Sequence, residues 1–376
     1  MMKLHTVTAA PAMWPGRLHG KDQKKVARLV MWVFLALGLA GLMWPLTPHP
    51  AVAAAATSNT PGGQWQKIEV DPHPPARSGH AMAYDADRER VVLFGGGPID
   101  WAGEGEPLSD TWQWDGEQWQ QVDTPTAPPA RHGHVMVYEA HLSRVVLFGG
   151  QGADGRLLND LWTFDGQRWQ RVHAPGAPSP RVEAAAAYDQ LREQTVIFGG
   201  RDAQDRTPTD TMLWDGRTWS QRSPVTRPGS RWGHAMAWDP DATRTLLYGG
   251  TDGGFPAMRD TWQWDGSVWD RLAEDRETDE PIPHPPRARG VAMAYHAGLE
   301  QFILAGGRLV DPEARGFVRT WHFDGERWQR LSDDPGPSAR SNAAMAYDST
   351  RHRLILFGGR GREQQFHDTW ELRAGE

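Results

Sequence analysis

The chain has 376 residues, with 40 Lys and Arg against 47 Asp and Glu, 20 Trp, 41 Gly, 29 Pro and no cysteine. The absence of cysteine excludes disulfides, thiolate metal sites, lipoprotein-type acylation and a cysteine nucleophile. The net charge of −7 argues against a nucleic-acid surface, which needs a basic stripe to release counterions.

The first 56 residues differ in kind from the rest. Arg17, Lys21, Lys24, Lys25 and Arg28 precede an uncharged run from Leu29 to Trp44, and Ala51-Val52-Ala53-Ala54-Ala55-Ala56 follows. This pattern reads as an export signal, with Ala51 and Ala53 fitting an A-x-A cleavage site. The apolar run is 16 residues, short for a bilayer span of about 20, which favours the cleaved signal; an uncleaved membrane anchor through 29–44 is the alternative. A start at Met13 would shorten the long basic region. In each case residues 57–376 are expected outside the cytoplasm: secreted, periplasmic or at the cell surface. Residues 1–56 carry a net +5, which leaves the remainder near −12.

From residue 62 onward one pattern returns. Val91-Val92-Leu93-Phe94-Gly95-Gly96, an apolar strand ending on paired glycines, recurs with first glycines at 149, 199, 249, 306 and 358, intervals of 50 to 57 residues. Within a period the order of signals is constant. Pro75-Ala76-Arg77-Ser78-Gly79-His80 leads into Ala81-Met82-Ala83-Tyr84-Asp85, and a four-residue turn leads to the glycine strand. After a variable loop come Asp110-Thr111-Trp112-Gln113-Trp114, Asp115-Gly116 and a strand opening at Trp119. Four strands per period are predicted, with Asp-Gly expected to form a type I′ hairpin. Trp169, Trp219, Trp269 and Trp328 open the equivalent fourth strands, but the chain stops after the third strand of the sixth period. Gly62-Gly63-Gln64-Trp65-Gln66-Lys67-Ile68 supplies the absent fourth strand, so the N-terminal strand is expected to close a ring and hide its lateral edges.

Paired glycines after an apolar strand, a downstream Asp-Thr-Trp or Asp-Leu-Trp and this period resemble the kelch repeat family over roughly residues 62–372. The resemblance implies an all-β, six-bladed β-propeller of four-stranded blades, with the first strand of each blade nearest the axis. Its functional implication is broad, because kelch propellers include protein-interaction modules, carbohydrate oxidases and sugar epimerases.

Candidate site residues fall in shared registers. Arg77, Arg131, Arg181, Arg231 and Arg340 stand seven positions before the Tyr or Trp of strand one; in period five Ala288 takes the place, flanked by Arg287 and Arg289. In kelch proteins that bind acidic peptides, arginines at this position contact the ligand, which is what the resemblance implies here. The competing reading pairs them with the recurring Asp110, Asp160, Asp210, Asp260 and Asp368 as fasteners between strands. The concerted loss of both partners in period five, where Arg319 replaces the Asp, favours pairing. His80, His134 and His234 share another register, but a ring spreads them too widely for metal bonds of about 2.1 Å, so core packing is expected. Trp101, in the acidic loop 97–106, and Trp232 break the repeat and are candidate stacking platforms for a sugar or contacts for a partner. The acidic insertion 274–281 lacks calcium-ligand spacing.

The sequence thus points to an exported binding or protein-interaction module acting through its axial mouth and irregular loops on a protein or glycan partner, with no cofactor. A cofactor-free epimerase- or lyase-like enzyme using the axial pocket on an acidic sugar is the second reading. A copper-radical oxidase resembling galactose oxidase is disfavoured, because its cofactor needs a cysteine.

Overall fold

The computed structural model describes residues 63–100, 105–254, 256–273, 284–309, 319–331 and 336–374, all within one compact unit, Asn59–Glu376. Residues 1–56, on which the expected export signal falls, Trp101 and the acidic insertion 274–281 lie outside the described residues. Each period folds as one four-stranded antiparallel blade. In blade one the strands are Ala81–Asp85, Arg90–Phe94, Thr111–Trp114 and Trp119–Val122, in that order across the sheet. Blade six takes Ala344–Asp348, Arg353–Phe357 and Thr369–Arg373 from the C-terminal end, and Gln64–Ile68 as its outer strand. Trp65 pairs with Leu372 and Ile68 with Thr369, so the two ends of the propeller are joined by a ladder that must break before the ring opens.

The first strands of neighbouring blades touch in a closed circuit. Alternating small residues permit that approach: Ala81 and Ala83, Ala235 and Ala237, Ala292 and Ala294, and Ala344 and Ala346 are all buried. The core is therefore a series of wedges between blades. One wedge joins Met82, Trp114 and Trp119 of blade one to Ala346, Ile355 and Phe357 of blade six, and its equivalents recur around the ring. Each fourth-strand Trp also reaches into the preceding blade. Trp119 Nε1 donates to Thr369 Oγ1 at 2.9 Å, Trp169 to Thr111 at 2.9 Å, Trp269 to Thr211 at 2.8 Å, Trp328 to Thr261 at 2.9 Å and Trp65 to Thr320 at 3.0 Å. Blade two carries Leu161 where the others carry Thr, and the indole N–H of Trp219 facing it is buried without an acceptor.

One local expectation is corrected. Trp114 pairs directly with Trp119, so the connection is the four-residue loop 115–118 and not a two-residue type I′ turn. The reason lies in the Asp side chain: Asp115 Oδ1 accepts from the backbone N–H of Glu117 at 2.9 Å and Gln118 at 2.8 Å, while Gly116 alone takes the positive φ, 98°.

Candidate functional site

The register arginines lie inside the fold. Arg131 is 0% exposed; its Nη1 and Nη2 donate to Asp160 Oδ1 and Oδ2 at 2.6 and 2.8 Å, Nη1 also to the Gly149 carbonyl at 3.0 Å, and Nε to the Pro129 carbonyl at 2.9 Å. Arg77 with Asp110, Arg181 with Asp210, Arg231 with Asp260 and Arg340 with Asp368 repeat this two-pronged pairing. The motif explains itself: in blades one, two, four and six the Trp two residues after the Asp donates its indole N–H to the same carboxylate. Burial works to raise the Asp110, Asp160, Asp260 and Asp368 carboxyls, but the paired guanidinium and the indole outweigh it and hold them below the usual carboxylate range. Reading Arg77, Arg131, Arg181, Arg231 and Arg340 as a funnel of ligand donors is thereby corrected. Their donors are committed within each blade, and the fastening alternative describes them.

The axial mouth is built from the next positions. A closed circuit of backbone hydrogen bonds runs round the axis. Gly133 N–H donates to the Gly79 carbonyl at 2.7 Å, Glu183 to Gly133 at 2.8 Å, Gly233 to Glu183 at 2.9 Å, Gly290 to Gly233 at 2.7 Å, Asn342 to Gly290 at 2.8 Å and Gly79 to Asn342 at 2.9 Å. Every member has a left-handed backbone, φ from 52° to 67°, which explains glycine in four blades and makes Glu183 and Asn342 exceptional. Beside the circuit, the residue after the register arginine bridges to the residue after the glycine pair. These bridges are Ser78 with Gly97, His132 with Gln151, Val182 with Arg201, Trp232 with Thr251, Arg289 with Arg308 and Ser341 with Arg360.

Around this circuit lies a cavity of about 370 Å³ lined by residues of all six blades, the size range of small-ligand pockets. Its charged wall is concentrated on blades three to five. The guanidinium carbons of Arg289 and Arg201 lie 4.3 and 5.4 Å from the Trp232 ring centroid, a double cation–π arrangement. Arg201 also meets the exposed Asp205 at 3.1 Å. Among the described residues the Arg289 side chain makes no hydrogen bond or ion pair, and the residue lines the cavity. Burial lowers the Arg289 pKa, the nearby Arg308 and Arg201 add to that, and Glu183 opposes it. On the blade-one side, the Ile99 carbonyl accepts from Arg360 Nη1 at 2.7 Å and Gln365 Nε2 at 3.0 Å, which fastens the loop to blade six and brings Asp100 to the mouth.

His80, His134 and His234 also line the cavity, each buried and packed edge-on against the second-strand Phe of the preceding blade: Phe357 at 5.6 Å, Phe94 at 5.7 Å and Phe198 at 5.9 Å. Burial and the neighbouring register arginine push His80 and His234 down to about 3, and His134 falls well below its ordinary value. These imidazoles are neutral packing elements, each bridging two blades. Among the described residues no three His, Asp or Glu side chains are placed to hold a metal ion.

Of the predicted site residues, the structure therefore brings Trp232 and the three histidines to the cavity and draws the five arginines away from it. Sequence reasoning passed over Glu183 and Arg201, and named Arg289 only as a flank of Ala288. Their signal was present: Arg289 stands one place beyond the register that blade five lost, and Glu183 interrupts a column otherwise held by Gly or Asn.

The KLHDC2/KLHL20/DRC7 Kelch-repeats domain model matches residues 55–187. An F-box/kelch-repeat protein of Arabidopsis thaliana is 33% identical over 101 residues, 24% of this chain and 20% of that protein, so the match spans about a fifth of the relative. The solved structure of YjhT is similar with a TM-score of 0.59 at 14% identity, over 79% of this chain and 95% of that one, a likeness of fold. With each repeat folded as one blade and the family match falling on residues 55–187, the chain is a six-bladed β-propeller that carries kelch repeats.

Proposed function

We propose that this propeller is an exported binding module whose axial mouth captures a carboxylate, carried by a glycan or by an acidic side chain of a partner protein. The observation that carries the reading is Arg289: a guanidinium held over Trp232, in a cavity wall, with its N–H fork unengaged among the described residues. A stacked guanidinium keeps its in-plane donors for a planar anion, the geometry that makes arginine a two-pronged carboxylate receptor. The basic-then-apolar stretch 17–44 and the A-x-A at Ala51–Ala53 support export.

The test is a thermal-shift screen of residues 57–376 against glucuronate, glucose and a capped Asp/Glu peptide, since a ligand bound only by the folded state raises Tm. The expected result is a shift with an acidic probe, none with glucose, and loss of the shift in Arg289→Ala. Equal shifts with glucose and glucuronate, or none with any probe, would overturn the carboxylate mouth. One observation favours the second reading, a cofactor-free enzyme on an acidic sugar: Glu183, whose carboxyl burial pushes upward, shares the cavity with Arg289. Its signature is exchange of carbon-bound hydrogen for deuterium in glucuronate, read by NMR in heavy water.

A further inference from the structure

Glu183 occupies the most constrained position in the mouth. It donates and accepts in the backbone circuit, and its φ of 56° is one that glycine adopts freely and a residue with a Cβ adopts only at a steric cost. Asn, which stands at the equivalent place in blade six, tolerates that backbone more readily than Glu. A methyl group placed on Gly233 would lie 3.4 Å from Glu183 Oε2 and 3.2 Å from Arg289 Cβ, so the carboxylate and the base of the arginine flank the same glycine. Among the described residues the Glu183 side chain accepts no hydrogen bond; the cationic groups acting on it are Arg289 and Arg201.

We propose that Glu183 is a built-in counter-ion of the mouth, which competes with an incoming carboxylate for Arg289 and Arg201, so that the site takes up its anion together with a proton. This rests on the carboxylate-binding reading above and adds its regulation. The argument is electrostatic. A second carboxylate beside Glu183 in a half-enclosed cavity meets like-charge repulsion, which protonation of Glu183 removes while both arginines stay charged. Burial already raises the Glu183 carboxyl, with Arg289 and Arg201 opposing, and a bound anion raises it further. Facing it around the cavity are Arg201 on its own blade, His132 and His134 on blade two, His234 and Trp232 on blade four, Arg289 and Arg308 on blade five, and His80 and Asp100 on blade one. Burial lowers the pKa values of His80, His132, His134 and His234, the opposite direction to Glu183, so of these groups Glu183 is the one whose burial favours taking up a proton.

Calorimetric titration with glucuronate, and separately with the capped Asp/Glu peptide, from pH 5.5 to 8 tests this; both probes stay ionised throughout. The expected result, for whichever source binds, is affinity falling about tenfold as pH rises, with net proton uptake on binding. Glu183→Gln and Glu183→Gly, the latter restoring the residue of four other blades, should bind at pH 8 as tightly as the wild type does at pH 5.5, with no slope. A wild type that binds equally at both pH values, or a Glu183→Gln variant that keeps the slope, overturns the counter-ion while leaving the carboxylate mouth standing. Absence of binding in the wild type and both variants overturns the mouth itself.

Discussion

Two sets of arginines lie one position apart in the repeat, and their surroundings have little in common. Arg131 and its equivalents are buried against an aspartate with every prong of the guanidinium engaged. Arg289 is half-buried over an indole, beside two other arginines, in the wall of a cavity and with its guanidinium unpaired among the described residues. Register decides the difference. The backbone just before strand one points one residue back into the blade and the next toward the mouth, so a one-place displacement of charge turns a fastener into a receptor.

The largest way to break this comparison is to remove a fastener. Arg131→Ala leaves Asp160 9% exposed and without its guanidinium, and breaking a buried pair of this kind costs about 3–5 kcal/mol. Urea unfolding should show that loss, and a loss below about 1 kcal/mol would mean the pairs are ornament. Because the pair also holds the Gly149 carbonyl, the Arg variants of this register are unsuitable probes of ligand binding. The depressed Asp pKa values add a pH signature: their stabilisation is present above the ordinary carboxylate range and is lost as pH falls through the folded-state values.

A second comparison lies at the other end of strand one. Asp85, Asp189 and Asp348 each pair with an arginine three residues on, Arg88, Arg192 and Arg351. Glu139 of blade two has Leu142 three residues on, and among the described residues this fully buried carboxyl accepts one well-formed hydrogen bond, from Thr195 Oγ1 at 2.7 Å, with the Trp214 indole also acting on it. Burial pushes its pKa up to about 7 from the usual 4.5. The folded protein therefore holds this proton more tightly than the unfolded chain, and the contribution of Glu139 to stability falls as pH rises between those values. Glu139→Gln should stabilise the propeller by about 2 kcal/mol at pH 8 and by little at pH 5. His80 and His234, pushed down to about 3, act in the opposite sense and lower stability as pH falls below 6.5. The difference between variant and wild type, read from urea midpoints at both pH values, isolates the glutamate; a difference independent of pH would refute the assignment.

The fold was legible because it is periodic. A glycine pair, a Trp and an Asp recurring at fixed offsets leave one architecture, and even ring closure could be read from Trp65 matching Trp119. The mouth was legible only in part. Arg231 and Arg289 look alike in sequence, and what separates them is Asp260, contributed from 29 positions away in one case and replaced by Arg319 in the other. Glu183 was hidden for another reason: the column Gly79, Gly133, Gly233 and Gly290 reads as a turn, and only a three-dimensional ring of backbone bonds shows that the odd member projects its side chain into a cavity.

A milder test of the fastening side is Thr211→Val, which orphans Trp269 Nε1 as Leu161 already does for Trp219. The expected cost is about 1–2 kcal/mol in thermal or urea unfolding, since a buried donor loses its acceptor at nearly constant shape. An unchanged stability would mean that the blade-to-blade indole bonds merely accompany the packing.

The smallest expected effect is the most informative. Arg289→Ala forfeits a cation–π contact with Trp232 worth about 0.5–1 kcal/mol and the attraction of Glu183 on one side, and on the other relieves the cost of burying the guanidinium and its repulsion from Arg201 and Arg308. The two sides oppose, so stability should stay within about 0.5 kcal/mol of wild type, while the Tm shift produced by an acidic probe disappears. A charge in the interior of a ring, embedded in a fold whose register arginines are fasteners, would then be silent in stability and decisive in binding. If Arg289→Ala instead unfolds the protein as Arg131→Ala does, the guanidinium over Trp232 is one more fastener, and the distinction between the two registers collapses.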